Sequence, residues 1–363
     1  MDNSIYSLVE SIHAPAAGLT QDGQERLNNL TKPKGSLGRL EELALMLWRI
    51  QGTCPLQVDP AAMITVAADH GVAAEGISLY PQEVTRQMVV NFLNNGAAIN
   101  VLSGVAGIKH YIIDAGCKGE DFPEHPYLIR HKIGQGTKNF CEGPAMTAGE
   151  CWECINLGVS TARSLAASGV RCMGIGEMGI GNTTAASALF AAYFELVPEA
   201  VTGQGAGLPL GGLAHKSQVL HKALRVNSEA VQSGEPFAIL SALGGFEIAT
   251  MAGLILGGAG QNMVLVIDGF ISTAAYLAAW KMCPAVCDYC VFSHLSKEGA
   301  HELVLSYLDE KPLLDLGMRL GEGTGAALGI FMLRAAAAIF NDMSTFDSAG
   351  ISGALLDGPE KRK

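Results

Sequence analysis

Five short apolar runs recur along the chain, and each ends in a polar or glycine-rich turn. MITVAADHG (63–71) ends in Asp69 and His70, KHYIIDAG (109–116) in Asp114, VRCMGIGE (170–177) in Glu177, MVLVIDGF (263–270) in Asp268, and YCVFSH (289–294) in Ser293 and His294. Continuous apolar runs of this length predict parallel strands buried on both faces. Helical patterns lie between them. In PQEVTRQMVVNFLNNG (81–96), Val84, Met88 and Phe92 recur at i+4, Pro81 suits a first helical position, and Asn95-Gly96 suits a stop. AASALFAAYFELV (185–197) and FEIATMAGLIL (246–256) are further helical candidates. This alternation predicts a doubly wound α/β sheet, in which ligands bind beyond the carboxyl ends of the strands.

The chain ends read differently. GSLGRLEELALMLWRIQG (35–52) puts Leu40, Leu43, Ala44 and Leu47 on one helical face, and AALGIFMLRAAAAIFNDM (326–343) is a long apolar helix. They are expected to form a smaller helical subdomain. A chain of 363 residues suits one large α/β domain plus such a smaller one.

Composition narrows the class. Apolar residues make up 49% and charged ones 16%, which excludes a disordered chain. The net charge of −11, with no basic run, argues against nucleic acid and anionic membrane as partners. The N-terminus shows no signal-peptide pattern, and the long apolar stretches are interrupted by Gly, Asn or charges. A cytoplasmic protein is expected, and 9 cysteines, an odd number, fit reduced thiols there.

Glycine loops carry the candidate chemistry. Gly174-Ile-Gly176-Glu-Met-Gly179 matches the dinucleotide pattern G-x-G-x-x-G, but the loop runs on through Gly181-Asn182-Thr183 and has no Walker lysine. Asn182 or Thr183 would cap a helix whose free N–H groups can hold an anion; equally, the glycines can serve packing alone. A second loop, Thr202-Gly203-Gln-Gly205-Ala-Gly-Leu (202–208), precedes His215-Lys216. Lys216 can supply a point charge for a phosphate, or be a solvated helix residue. In Arg319-Leu-Gly-Glu322-Gly-Thr-Gly325, Glu322 is bracketed by glycines just before a helix. It suits a general base, and equally a cap of its own helix. Asp69-His70 reads more readily as a structural pair than as an acid–base couple. Leu79, Tyr80 and Gln87 can line a flat apolar pocket with one polar contact, or Leu79 and Tyr80 can be core. Two C-x-x-C pairs, Cys151/Cys154 and Cys287/Cys290, lie too far apart for a zinc ribbon and read as buried core thiols. No metal site is expected.

With these residues in hand, the chain resembles the nicotinate-nucleotide–dimethylbenzimidazole phosphoribosyltransferases of cobalamin lower-ligand synthesis. The resemblance is carried by KPKGSLGRLEELA (32–44), AADHGVAAEGISLYPQEVTRQMV (67–89), GEMGIGNTTAASAL (176–189), LGGFEIATMAG (243–253), FSHLSKEG (292–299) and LDLGMRLGEGTGAAL (314–328), and so covers almost the whole chain. It implies a Rossmann-like parallel sheet with a small helical domain built from both chain ends. The expected division is 1–55 for the first part of the small domain, 56–312 for the large domain, and 313–363 for the active-site loop and the remaining helical part. It also implies a homodimer in which the partner's small domain completes the crevice. Glu322 would then be the general base and Glu177 the second functional carboxylate. Gly176, Gly181 and Asn182 would hold the nucleotide, Gly203, Gly205 and Lys216 would assist at its phosphate, and Leu79, Tyr80 and Gln87 would bind the base. The implied reaction needs no metal and no cofactor. Adenine, other benzimidazoles and phenols are alternative acceptors. The competing readings are an NAD(P)-dependent oxidoreductase, resting on G-x-G-x-x-G with Glu195 at about the right spacing for the ribose, and a non-catalytic nucleotide-binding or thiol–metal regulatory protein.

Overall fold

All five apolar runs are strands. The computed structural model describes residues 3–16, 18–205, 207 and 210–352. Its strands are β1 (Ala61–Ala68), β2 (Lys109–Gly116), β3 (Leu128–Arg130), β4 (Cys172–Met178), β5 (Val264–Ile267) and β6 (Cys290–Phe292). They form one six-stranded sheet in the order β3-β2-β1-β4-β5-β6, and every pairing is parallel. All eight residues of β1 are buried. That is what an apolar run covered on both faces predicts. Ile64 of β1 faces Tyr111 of β2 on one side and Ile175 of β4 on the other. From β1 the chain builds outward to β3, then returns beside β1 as β4 and builds the other way. The order therefore reverses between β1 and β4, and the crevice beyond their carboxyl ends is where such a sheet binds ligands.

The helix Phe246–Ala259 has all fourteen residues buried, packed between helix Ala148–Ala167 and the strands β1, β2, β4 and β5. Two helical stretches, Glu83–Ala106 and Thr324–Asp342, have the length and apolar composition of a membrane span. The first is not one helix: Glu83–Leu93 and Ala98–Ala106 are separated by Asn94, Asn95 at φ 57°, Gly96 and the extended Ala97.

The chain forms two compact units, one from the described residues within Met1–His13 and Asp59–Ile330, the other from those within Ala14–Val58 and Phe331–Lys363. The larger contains the sheet. In the smaller, helix Arg39–Gln51 buries Leu43, Ala44 and Leu47, while Leu40 is half-buried. Trp48 stacks on Phe340 with ring centroids 5.7 Å apart, and Arg26 Nε donates to the Phe340 carbonyl at 2.9 Å. Segments from both ends of the chain thus share one core.

Candidate active site

Glu177 stands at the carboxyl end of β4 and is buried. The amide of Asn182, first residue of helix Asn182–Phe194, donates to its carboxylate. The helix is capped by Gly181 at φ 99° and not by the side chain of Asn182 or Thr183, so the expected cap is corrected. Asn182 instead turns its amide to Glu177. Burial pushes the Glu177 carboxyl up to about 8, against the pull of Asn182 and with the negative charges of Glu247, Asp268 and Glu322 adding to the rise. At neutral pH it is mostly a neutral acid and can donate a hydrogen bond.

The dinucleotide reading of this stretch meets a different geometry. Gly174 and Gly176 lie inside β4, not in the turn after it. A Cβ on Gly176 would stand 2.2 Å from the backbone nitrogen of Gly323, so this glycine admits the loop that carries Glu322. Glu195 closes the following helix in a left-handed conformation and is not at a strand end. The oxidoreductase reading loses both its phosphate turn and its ribose acid.

The loop that carries Glu322 has three successive left-handed residues: φ is 86° at Gly321, 65° at Glu322 and 95° at Gly323. Glu322 is held at both ends. Its carbonyl oxygen accepts from Thr65 Oγ1 at 2.8 Å, and its Oε2 accepts from the N–H of Ile99 at 3.4 Å, in the first turn of helix Ala98–Ala106. Burial raises its carboxyl above the ordinary value, against the Ile99 bond. Glu322 does not cap its own helix. Asp268, just past β5, does so through the N–H groups of Gly323, Gly325 and Ala326 at 3.1, 2.7 and 3.1 Å. Burial pushes Asp268 up to about 7 despite these three bonds. Glu177 lies against the loop that carries Glu322: a Cβ on Gly321 would lie 2.5 Å from Glu177 Oε1.

Lys216, on helix Leu210–Val226, is fully buried, not solvated. Its Nζ donates to Thr183 Oγ1 at 2.9 Å and to the Gly203 carbonyl at 3.2 Å. Burial lowers its pKa to about 8, and Glu298 opposes the fall. Glu298 takes the Gly205 N–H on both oxygens, at 2.9 and 3.0 Å. The structure thus joins Lys216, Thr183, Gly203 and Gly205 in one polar nest. Ala206 and Leu208 of this loop lie outside the described residues.

Leu79 and Tyr80 are not core: they are 58% and 52% exposed. With Ser78, Gln82 and Lys118 they line a cleft of about 430 Å³. Gln87 is exposed on helix Glu83–Leu93 and does not line this cleft, whereas Gln82 does. Asp69 and His70 do not pair with each other. His70 Nε2 meets Glu247 Oε1 at 2.6 Å with both side chains fully buried, and Asp69 Oδ2 accepts from Lys118 N at 2.7 Å. Cys151 and Cys154 are buried in helix Ala148–Ala167; Cys287 is exposed and Cys290 opens β6. Among the described residues no group of three or more His, Cys, Asp or Glu is placed to hold a metal ion.

Sequence reasoning missed Thr65, Asp268 as a cap, Glu247 and Glu298. Asp268 and Glu298 lie in stretches that stood out as strand-end and motif residues, so a signal was present for those two.

A family model described as phosphoribosyltransferase matches residues 12–351. The nicotinate-nucleotide–dimethylbenzimidazole phosphoribosyltransferase of Nitratidesulfovibrio vulgaris strain DP4 is 54% identical over 98% of this chain and 99% of its own. The enzyme of the same name from Prosthecochloris aestuarii is 46% identical over 97% of this chain and 99% of its own. Among solved structures, CobT from Thermus thermophilus has a TM-score of 0.87 at 44% identity, covering 93% of this chain and 100% of that one.

Proposed function

From its membership of this phosphoribosyltransferase family, to which the chain belongs, we propose that it transfers the phosphoribosyl group of nicotinate mononucleotide to dimethylbenzimidazole, releasing α-ribazole 5′-phosphate and nicotinate for cobalamin nucleotide-loop assembly. Glu322 is the general base. One ring nitrogen of the benzimidazole attacks C1′ of the nucleotide. The C1′–N bond to nicotinate breaks, its electron pair stays with the pyridine nitrogen, and the positive charge there is discharged. Glu322 takes the proton from the other ring nitrogen, which becomes more acidic as the first forms its bond. A single displacement turns the β-glycosidic bond into α. The pyridinium leaves without acid help, so the protein's task is positioning plus one base.

One observation carries the assignment: Glu322 is a buried carboxylate that leaves the capping of its own helix to Asp268, with a raised pKa, on a loop that lies against Glu177 at the switch point of the sheet. A carboxylate raised by burial is a stronger base than one in water. Glu177, as a neutral acid, suits a hydrogen bond to the ribose or the leaving nicotinate. Asn182 and Gly181 then flank the nucleotide, the nest of Lys216, Gly203 and Gly205 takes its phosphate, and Leu79 and Tyr80, with Gln82 in the place expected for Gln87, take the base. The working unit is a homodimer in the cytoplasm.

The test is nicotinate release and α-ribazole phosphate formation by purified protein, with Glu322→Gln alongside. Loss of about 10²–10⁴-fold in turnover by the folded variant is expected. Near-wild-type turnover would remove Glu322 from the role.

A further inference from the structure

Behind Glu322 runs a line of side chains that the proton transfer itself does not use. Thr65, fully buried in β1, places Oγ1 2.8 Å from the Glu322 carbonyl oxygen and 2.8 Å from Nε2 of His110 in β2. Nδ1 of His110 stands 3.1 Å from Nδ2 of Asn100. Elimination sets every direction. A carbonyl only accepts, so the one hydroxyl proton of Thr65 goes to Glu322, and Thr65 must accept from Nε2–H of His110. Asn100 is oriented by its surroundings: Oδ1 takes the Ala97 N–H at 3.1 Å and Nδ2 donates to the Phe92 carbonyl at 3.0 Å. Nδ1 of His110 therefore accepts, and the ring is neutral. Burial agrees, pushing His110 down to about 4.

This line ends on the residue of the site with the least comfortable backbone. Glu322 is not a glycine, yet it adopts φ 65°. Such a conformation persists only where surrounding groups over-determine it. We propose that Thr65 and His110 are positioning residues for Glu322: relayed from Asn100, they pin its carbonyl and so hold the carboxylate at its working angle. The proposal rests on the reading of Glu322 as the base.

The test uses steady-state kinetics with nicotinate mononucleotide and dimethylbenzimidazole. Thr65→Val keeps the shape and removes the hydroxyl; Thr65→Ser keeps the hydroxyl. We expect Thr65→Val to lower kcat roughly 10–100-fold, the usual penalty of a misplaced catalytic group. KM for the nucleotide should stay within about twofold, and Thr65→Ser should recover most of kcat. Placed on top of Glu322→Gln, Thr65→Val should cause no further loss, because nothing is left to aim. Four results overturn the positioning role: a wild-type kcat in folded Thr65→Val while Glu322→Gln is inactive, equal losses in Thr65→Val and Thr65→Ser, a rise in nucleotide KM with kcat unchanged, or a further loss in the double variant. An active Glu322→Gln would overturn the base assignment instead, and is read from a different variant. Should Thr65→Val fail to fold, His110→Phe carries the test. A several-fold fall in kcat at unchanged KM supports the relay, and an unchanged kcat overturns it.

Discussion

Asp268 accepts the backbone N–H of Gly325 at 2.7 Å, although 57 residues separate them. A carboxylate from the end of β5 thereby caps the helix Thr324–Asp342, with Gly323 and Ala326 as further donors. Asp268→Asn would turn an NH₂ group toward N–H groups and leave donors unpaired. A loss of about 1–3 kcal/mol is expected, together with lower turnover because the Glu322 loop hangs on this cap. An unchanged Tm in Asp268→Asn would show that the cap contributes nothing.

Two neighbouring glycines of β4 should respond differently to one added methyl. At Gly176 the Cβ would meet backbone atoms of Gly323 at 2.2 and 2.4 Å, which cannot step aside alone. At Gly174 it would meet Met63 Cε at 2.4 Å, the far end of a flexible side chain. Gly176→Ala is expected to cost roughly 1–3 kcal/mol or more and most of the activity, and Gly174→Ala clearly less of both. Equal melting temperatures for the two variants would contradict the tight approach of the Glu322 loop to β4.

Removal of the buried ammonium should show in substrate affinity. Lys216→Met leaves Thr183 Oγ1 and the Gly203 carbonyl without their donor and takes one positive charge from the nest. A charged hydrogen bond of about 1.5–3 kcal/mol corresponds to KM for nicotinate mononucleotide rising roughly 10–150-fold, with KM for the base little changed. Unchanged nucleotide KM would move the phosphate elsewhere.

Stability should fall as pH rises. Glu177 is raised from 4.5 to about 8 and Asp268 from 3.8 to about 7, so both hold protons more tightly folded than unfolded. Their contribution is complete below the unfolded values and is lost as pH rises through the folded ones. Thermal melts of the ligand-free protein are expected to decline from about pH 5 to about pH 8, with a shallower decline in Glu177→Gln. Parallel curves for the two proteins would place the titration elsewhere.

The sheet was legible because its strands are buried on both faces and so read as unbroken apolar runs; β2 coincides with KHYIIDAG (109–116). β3 was not, since it has three residues, none of them buried. Glu322 and Glu177 stood out because glycines surround them in the chain. Thr65 did not, because inside an apolar run a threonine reads as one more strand residue. Glu247 meets His70 from 177 residues away, and no local spacing announces such a pair. Gly176 was read for its freedom to let a ligand approach, while the neighbour that needs the space is Gly323.

Arg26 reaches the carbonyl of Phe340 across 314 residues of chain. During synthesis this sets an order of events. The strands and helices of the larger unit can assemble while the ribosome is still working, but the first helices of the smaller unit must wait, with Trp48 lacking its Phe340 partner, until the segment beyond Phe331 has emerged. Chain segments held open in this way are the ones that chaperones bind and that aggregate when release is slow. For this protein the hazardous interval of biosynthesis is therefore a long one, and it closes only once Phe340 has emerged.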